Sequence, residues 1–152
     1  MANSAVAIDK EETYFGVPWE DTYGFPQAIK VGDTIYVSGQ ASHDQEGNFV
    51  APAALDENRK PVDFSTMEQQ MRTAYSNAAT LLARYGATLD NVVEETLYVL
   101  DVDSAFAVAG KVRREAYATE RPLCASHLIG VSRLAMPEGL IEITFRAVLP
   151  QA

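Results

Sequence analysis

The sequence predicts a single α/β domain of the α+β type, with a mixed β-sheet and two helices packed on one of its faces. The 152 residues, 47% of them hydrophobic, suffice for one continuous core. Strand-like segments alternate with helical ones, which favours a mixed or partly parallel sheet. No segment remains to cover the second sheet face, so we expect other subunits to cover it. One domain is predicted over residues 1–152, with residues 1–23 as a partly strand-forming extension.

The first clear element is a β-hairpin. In the segment from Phe25 to Ser42, FPQAIKVGDTIYVSGQAS, β-branched and aromatic residues flank the turn dipeptide Gly32-Asp33 on both sides. The following stretch, from His43 to Val62, mixes Gly, Pro, Asn and charged residues and shows no apolar period. We therefore expect an ordered surface loop between the hairpin and the first helix.

A helix is predicted between Asp63 and Tyr85, because apolar residues recur there at spacings of three and four. Ser65 and Glu68 resemble a capping box, and Gly86 stands where a left-handed C-terminal cap is wanted. Both ends of the helix are thus marked in the sequence. The apolar stripe consists of Met67, Met71, Ala74, Ala78, Leu81, Leu82 and Tyr85.

The second half of the chain reads as strand, helix, strand, strand. NVVEETLYVL has strand composition, and Asp103 can cap the helix that follows. LCASHLIGVSRLA and GLIEITFRAVLP predict two final strands around a turn at residues 136–139. The inner face of the helix is predicted to comprise Ala105, Val108, Ala109, Val112 and Ala116, while its basic residues Lys111, Arg113 and Arg114 are interpreted as a solvated face rather than an anion site.

Charge and composition exclude several classes of function. A net charge of −9 repels phosphate backbones, which disfavours nucleic acid as a partner. The start of the sequence has no basic stretch followed by an apolar run, and no segment approaches the roughly 20 apolar residues of a membrane span. We expect a cytoplasmic protein without a membrane partner. The single cysteine, Cys124, with only His43 and His127 available, predicts no disulfide and no metal site, and no cofactor is indicated.

Four strings and their spacing resemble the RidA/YjgF family, also described as YER057c or endoribonuclease L-PSP-like. They are FPQAIKVGDTIYVSGQ at 25–40, GATLDNVVEETLYVLD at 86–101, VSRL at 131–134 and LIEI at 140–143. The resemblance covers nearly the whole chain from about Gly24 onward. It implies a chorismate mutase-like fold and a homotrimer whose sheets form a central barrel, with small-molecule clefts between adjacent subunits.

The resemblance also implies an activity, namely hydrolysis of reactive enamines and imines. In the family, an arginine on the first of the last two strands holds the substrate carboxylate, and a glutamate on the last strand positions the attacking water. Glu142, in LIEI, matches that glutamate. Ser38 and Gly39 match the ligand-facing turn, and Phe25 stands where the family commonly has a tyrosine.

The arginine that the family uses for deamination has no counterpart in this sequence, so the chain resembles a subgroup of the family that lacks it. Aligning VSRL places Ser126 at its position, and counting back from Glu142 without a gap gives His127 instead. We prefer Ser126, as a hydrogen-bond donor beside Glu142. Cys124 and Leu128, two residues to either side of Ser126, are further ligand-facing candidates. The arginines that could take over the anchor are Arg121, Arg133 and Arg146.

Each of these residues also has an ordinary structural interpretation. Cys124 near His127 suggests a nucleophile, but adjacent strand residues face opposite ways, so a buried structural cysteine is favoured. His127 is interpreted as a core or interface residue. For Glu142 a water-positioning role and an interface ion pair with Arg133 or Arg146 both stay open, because a carboxylate in an apolar strand is costly unless paired or hydrated.

Three functions follow from the sequence. The first is an enamine or imine deaminase, or a related hydrolase, whose substrate does not need the usual arginine anchor. The second is a trimer that binds a small metabolite in its clefts without chemistry, suggested by the loss of the guanidinium group. The third, a ribonuclease, is disfavoured by the acidic charge balance and by the lack of a convergent set of His and Lys residues.

Overall fold

The computed structural model describes residues 6–151 and contains a six-stranded mixed sheet with two helices. Along the sheet the strands lie in the order β1-β2-β3-β6-β4-β5; β4 and β5 are parallel and every other neighbouring pair is antiparallel. The predicted fold class is therefore confirmed. The elements are β1 Glu11–Thr13, β2 Ala28–Val31, β3 Thr34–Gln40, α1 Met67–Ala83, β4 Val92–Val99, α2 Val102–Tyr117, β5 Ala125–Gly130 and β6 Ile141–Val148.

Both helices pack on the same face of the sheet and form the core with it. The apolar stripe of α1 is buried against inward-facing residues of β3 and β6, and Val112 of α2 is buried as well. The opposite face, called here the open face, carries the alternate residues of the same strands. Large apolar side chains remain exposed on it, among them Tyr36, Ile129 and Val148.

The helix ends differ in detail from the prediction. The helix α1 begins at Met67, and Ser65 donates its hydroxyl to Asp63 instead of taking part in a capping box with Glu68. Gly86 has the expected left-handed backbone, with φ of 74°. For α2 the cap is Asp101, whose carboxylate accepts a hydrogen bond from the Ser104 N–H at 2.9 Å, rather than Asp103. An Asp in the first turn suits the helix dipole but leaves the capping position to the residue before the helix.

The loop and terminal strands follow the sequence pattern with shorter bounds. Residues 43–62 form no helix or strand beyond two isolated bridges. The strand β5 ends at Gly130, earlier than its apolar composition predicts. The strand β1 lies in the predicted N-terminal extension, of which residues 1–5 lie outside the described part of the chain. Across residues 6–151 neither helix combines the length and hydropathy needed to cross a bilayer.

Candidate functional site

Glu142 and Gly39 are in direct contact on the open face of the sheet. The strand β6 alternates regularly, so Glu142 points away from the helices while its neighbours Ile141 and Ile143 are buried in the core. A Cβ atom added to Gly39 would lie 2.5 Å from the Glu142 Cδ. A side chain at position 39 would therefore occupy the space of the carboxylate, and glycine leaves that space free.

A β-bulge in β3 creates this contact. Val37 pairs with Phe145 and Gln40 with Ile143, so Ser38 and Gly39 together stand opposite one residue of β6. Ser38 is held in place by its hydroxyl, which donates to the Pro26 carbonyl oxygen at 2.7 Å. Bulges often re-aim side chains next to functional sites. Here the bulge brings the predicted ligand-facing turn against Glu142.

Phe25 lies at the start of the same region. It immediately precedes Pro26, the residue that accepts the hydrogen bond from Ser38. Its ring is half-buried and packs edge-on against Tyr23, with 5.5 Å between the ring centroids. Three sequence-predicted residues, Phe25, Ser38 and Gly39, thus belong to the end of the sheet that also carries Glu142.

Glu142 is a half-buried carboxylate with an elevated pKa. Burial removes water from its charged form and raises the pKa above the ordinary value for glutamate. Among residues 6–151 no Lys, Arg or His nitrogen lies within ion-pairing distance of it. The suggested ion pairs with Arg133 or Arg146 are thus not formed within one chain. A carboxylate in this state is suited to accept a proton from water.

Ser126 does not join Glu142 within one chain. The register pairs Ser126 with Glu95, whose side chain is buried on the helix side of the sheet, so Ser126 faces that side too. The strand β5 is two strands from β6, which corresponds to about 10 Å. Cys124, Ser126 and Leu128 share this helix-side face. Their expected role in a cleft with Glu142 is thus a prediction about neighbouring subunits.

On the open face, His127 rather than Ser126 shares the side of Glu142. His127 is paired with Thr96, and its Nε2 lies 4.0 Å from Glu94. Arg146 approaches the same carboxylate at 3.8 Å, so Glu94 stands between two basic groups. Arg133 lies in the loop after β5, where its Nε donates to the Leu134 carbonyl oxygen.

A buried ionic cluster on the helix side was not predicted from the sequence. Glu95 is 1% exposed and receives hydrogen bonds from Arg113 Nε at 2.8 Å and from the Tyr75 hydroxyl at 2.6 Å. Arg113 also donates to the Cys124 carbonyl oxygen at 3.4 Å, and the Tyr117 hydroxyl to the Cys124 sulfur at 3.5 Å. The interpretation of Arg113 as part of a solvated face is therefore wrong, because it compensates a buried carboxylate.

The sequence carried a signal for this cluster. Counting back by twos from the inward-facing Val99 and Leu97 reaches Glu95, a carboxylate at a core position, which requires a partner. Cys124 packs beside the cluster, and burial raises the pKa of its thiol. A thiol with a raised pKa is a poor nucleophile, which favours the structural interpretation of Cys124. Residues 6–151 bring no three His, Cys, Asp or Glu side chains together as a metal site.

Comparison with known proteins identifies relatives that extend over most of the chain. The profile of the family described as Endoribonuclease L-PSP matches residues 20–149. A mitochondrial protein, mmf2, of Schizosaccharomyces pombe is 29% identical over 140 residues, which are 92% of this chain and 94% of that protein. A RutC family protein of Pyrococcus abyssi is 32% identical over 110 residues, 72% of this chain and 75% of that one. The 2-iminobutanoate/2-iminopropanoate deaminase of Bos taurus is 26% identical over 125 residues, 82% of this chain and 79% of the bovine protein.

Solved structures show the same fold. A member of the YjgF/YER057c/UK114 family from Mycobacterium tuberculosis superposes with a TM-score of 0.70 at 24% identity, covering 93% of this chain and all of that one. Yeast Mmf1 superposes with a TM-score of 0.69 at 20% identity, covering 95% and 98% of the two chains. The profile match over residues 20–149, together with the shared fold, makes this chain a member of the RidA/YjgF family.

Proposed function

We propose that this protein hydrolyses reactive imines or enamines, with Glu142 as the group that positions and deprotonates water. The observation that carries the proposal is the state of Glu142, which is half-buried, has no ion-pair partner among residues 6–151, and lies against Gly39 in space that any larger residue would fill. Relatives described as iminobutanoate/iminopropanoate deaminases support the same chemistry.

The reaction needs only one base and a bound substrate. The oxygen of water forms a bond to the imine carbon while its proton passes to the Glu142 carboxylate, and the electron pair of the C=N bond moves to nitrogen. The proton then returns to nitrogen, which gives a carbinolamine. Glu142 next takes the proton of the carbinolamine hydroxyl and passes it to the nitrogen, so that the C–N bond breaks and ammonia leaves as the carbonyl forms. A raised pKa of Glu142 helps these transfers, since the carboxyl group can hold each proton between them.

We further propose that the active form is a homotrimer in which the open faces of the sheets meet. The exposed Tyr36, Ile129 and Val148 support burial of that face, because such an apolar surface is unusual on a monomer. A neighbouring subunit could bring its Cys124, Ser126 and Leu128 toward Glu142. Ser126 and Leu128 lie on the edge strand β5, and Cys124 directly precedes it, so a second chain can approach them from the edge of the sheet.

The experiment is an imine-hydrolysis assay. An amino-acid oxidase generates imines in situ, semicarbazide traps those that survive, and the protein competes with the trap. We expect the wild type to suppress semicarbazone formation for at least one amino acid and Glu142→Gln to reduce that effect by about 100-fold. Glu12→Gln, an exposed strand carboxylate remote from the site, is the matched control. No suppression by the wild type across a broad set of amino acids would overturn the proposal.

A second function, binding without chemistry, is favoured by one observation. Arg146, the arginine on the open face of β6, is paired with Glu94, so among residues 6–151 no unpaired guanidinium adjoins Glu142 to anchor a substrate carboxylate. Ser126→Arg separates the two functions. If the wild type does not hydrolyse imines, a gain of hydrolysis in this variant would support a catalytic site that lacks only its anchor. If the variant is inactive as well, a metabolite-binding protein is supported.

A further inference from the structure

We infer that a groove between the loop at residues 58–61 and the loop at residues 132–137 binds small carboxylate or phosphate anions that carry two or three negative charges. The groove has a volume of about 480 Å³, within the range of small-molecule sites. This inference goes beyond the proposed hydrolysis, since it does not depend on Glu142. The residues that line the groove are Asn58, Arg59, Lys60, Pro61, Leu100, Ser132, Arg133, Leu134, Ala135 and Pro137.

Three cations line this one groove in a protein with a net charge of −9. Arg59 and Lys60 enter from one loop and Arg133 from the other, while none of the described lining residues is acidic. Seven basic residues form the ion pairs found within residues 6–151, and neither Arg59, Lys60 nor Arg133 is among them. An anion entering the groove therefore does not have to displace an internal carboxylate.

Glu57, Asp101 and Glu138 each adjoin a lining residue in the sequence but do not line the groove, and Asp56 is engaged elsewhere. Its Oδ1 accepts hydrogen bonds from the backbone N–H groups of Asn58 and Lys60, at 2.8 Å and 3.0 Å. Those contacts close the turn that presents Arg59 and Lys60. The acidic side chain thus shapes the basic loop through its backbone instead of neutralising its side chains.

The backbone of Arg59 gives a second argument. Arg59 has φ of 61°, a left-handed conformation that favours Gly or Asn at this position of a turn. An arginine here is less favourable than glycine for the turn itself. An arginine thus stands at a position where the turn would favour another residue, and this residue lines the groove.

The lining chemistry indicates the class of ligand. Guanidinium groups match carboxylate and phosphate oxygens in a bidentate manner, and Lys60 adds a point charge. Pro61, Leu134 and Pro137 provide apolar contact for a short carbon skeleton. We therefore assign a di- or trianionic small molecule, bearing either carboxylates or phosphates, instead of a polymer.

Titration calorimetry at low and moderate salt tests the site, with citrate, pyrophosphate and acetate as probes. We expect citrate or pyrophosphate to bind with a sub-millimolar Kd, at least tenfold tighter than acetate. A preference for citrate would identify carboxylates, and one for pyrophosphate would identify phosphates; both support the site. Arg133→Ser and Arg59→Gly should each weaken binding about tenfold or more. Arg59→Gly suits the left-handed backbone, so it removes the charge without straining the fold.

Lys10→Ser is the matched control, because Lys10 is exposed, lies outside the groove and forms no ion pair within residues 6–151. Its affinity should equal that of the wild type. The inference is overturned if no di- or trianion binds with a Kd below about 10 mM, or if Lys10→Ser weakens binding as much as Arg59→Gly. It is also overturned if a single-stranded oligonucleotide binds more tightly than every small anion. Imine hydrolysis is measured on the same variants, so that a failure of the anion-binding inference can be told apart from a failure of the proposed hydrolysis at Glu142.

Discussion

Gly39 and Glu142 fit together so closely that a single methyl group on residue 39 would lie 2.5 Å from the carboxylate carbon. Gly39→Ala is therefore expected to displace the Glu142 side chain and to lower imine hydrolysis at least tenfold. The fold should persist, because the atoms that must move are the far end of a flexible side chain and the backbone of Gly39 is not left-handed. The rate of semicarbazone formation and the melting temperature measure the two effects.

Gly130→Ala is the control for this substitution. It places a Cβ in a strand glycine 3.1 Å from the Val102 side chain and away from Glu142. Hydrolysis should remain near the wild-type rate in this variant. Equal losses of activity in both alanine variants would contradict a specific role for the contact between Gly39 and Glu142.

Glu142 should make stability depend on pH in an unusual direction. Its folded-state pKa is raised by burial, so between the unfolded and folded pKa values the folded protein holds more protons. The free energy of unfolding then falls as pH rises through this window, which begins near the ordinary glutamate value of 4.5. Glu142→Gln removes this dependence and should stabilise the protein at neutral pH relative to wild type.

Urea unfolding at a series of pH values checks this prediction. The difference in unfolding free energy between Glu142→Gln and wild type should be largest near neutrality and should shrink as pH falls toward 4.5. The value of kcat/KM should fall on the acid side with a midpoint above the ordinary pKa of glutamate, because the base must be ionised. A difference that does not change with pH would argue against a buried, titrating Glu142.

The ion pair of Arg113 and Glu95 should be essential for stability. Arg113→Met leaves a carboxylate uncompensated at a position that is 1% exposed, a change that typically costs about 3–5 kcal/mol. Arg114→Met, at the adjacent residue on α2, removes an exposed ion pair with Glu120 and an exposed hydrogen bond to the Glu120 carbonyl oxygen, and should cost about 0–1 kcal/mol. Urea unfolding at one fixed protein concentration compares them.

A double variant tests the cause of that loss. Adding Glu95→Gln to Arg113→Met removes the buried charge, and much of the lost stability should return. If the double variant is no more stable than Arg113→Met alone, packing of the arginine side chain, and not its charge, supports the fold.

Ile129→Asp should weaken the proposed trimer. Ile129 is 46% exposed in one chain and lies on the open face in the same row as Tyr98 and Glu142. Burying a charge there in each subunit opposes association. Light scattering should give about three times the chain mass of 16.6 kDa for wild type and a smaller mass for the variant.

Phe106→Asp is the control for assembly. Phe106 is 75% exposed on α2, on the opposite side of the sheet, so this variant should keep the wild-type mass. A wild-type mass equal to one chain, or the same mass change in both variants, would contradict burial of the open face.

Local sequence by itself determined the elements of this protein and its fold class. The turn dipeptide Gly32-Asp33, the stripe of α1 and the glycine after it are short-range signals, because each depends on backbone preference or on a repeat of a few residues. The capping residues predicted at the helix N-termini were less accurate. Asp103 and Asp101 both suit a helix start, and only the backbone shows which one precedes the first turn.

Tertiary structure decided which of the candidate residues meet. The alternation of apolar residues in β6 suffices to put Glu142 opposite Ile141 and Ile143, but the face of Ser126 depends on how β5 pairs with β4, which no local pattern encodes. The bulge that brings Gly39 to Glu142 and the burial of Arg113 on Glu95 likewise arise between distant segments. Register and packing set these contacts because they join residues that are far apart along the chain.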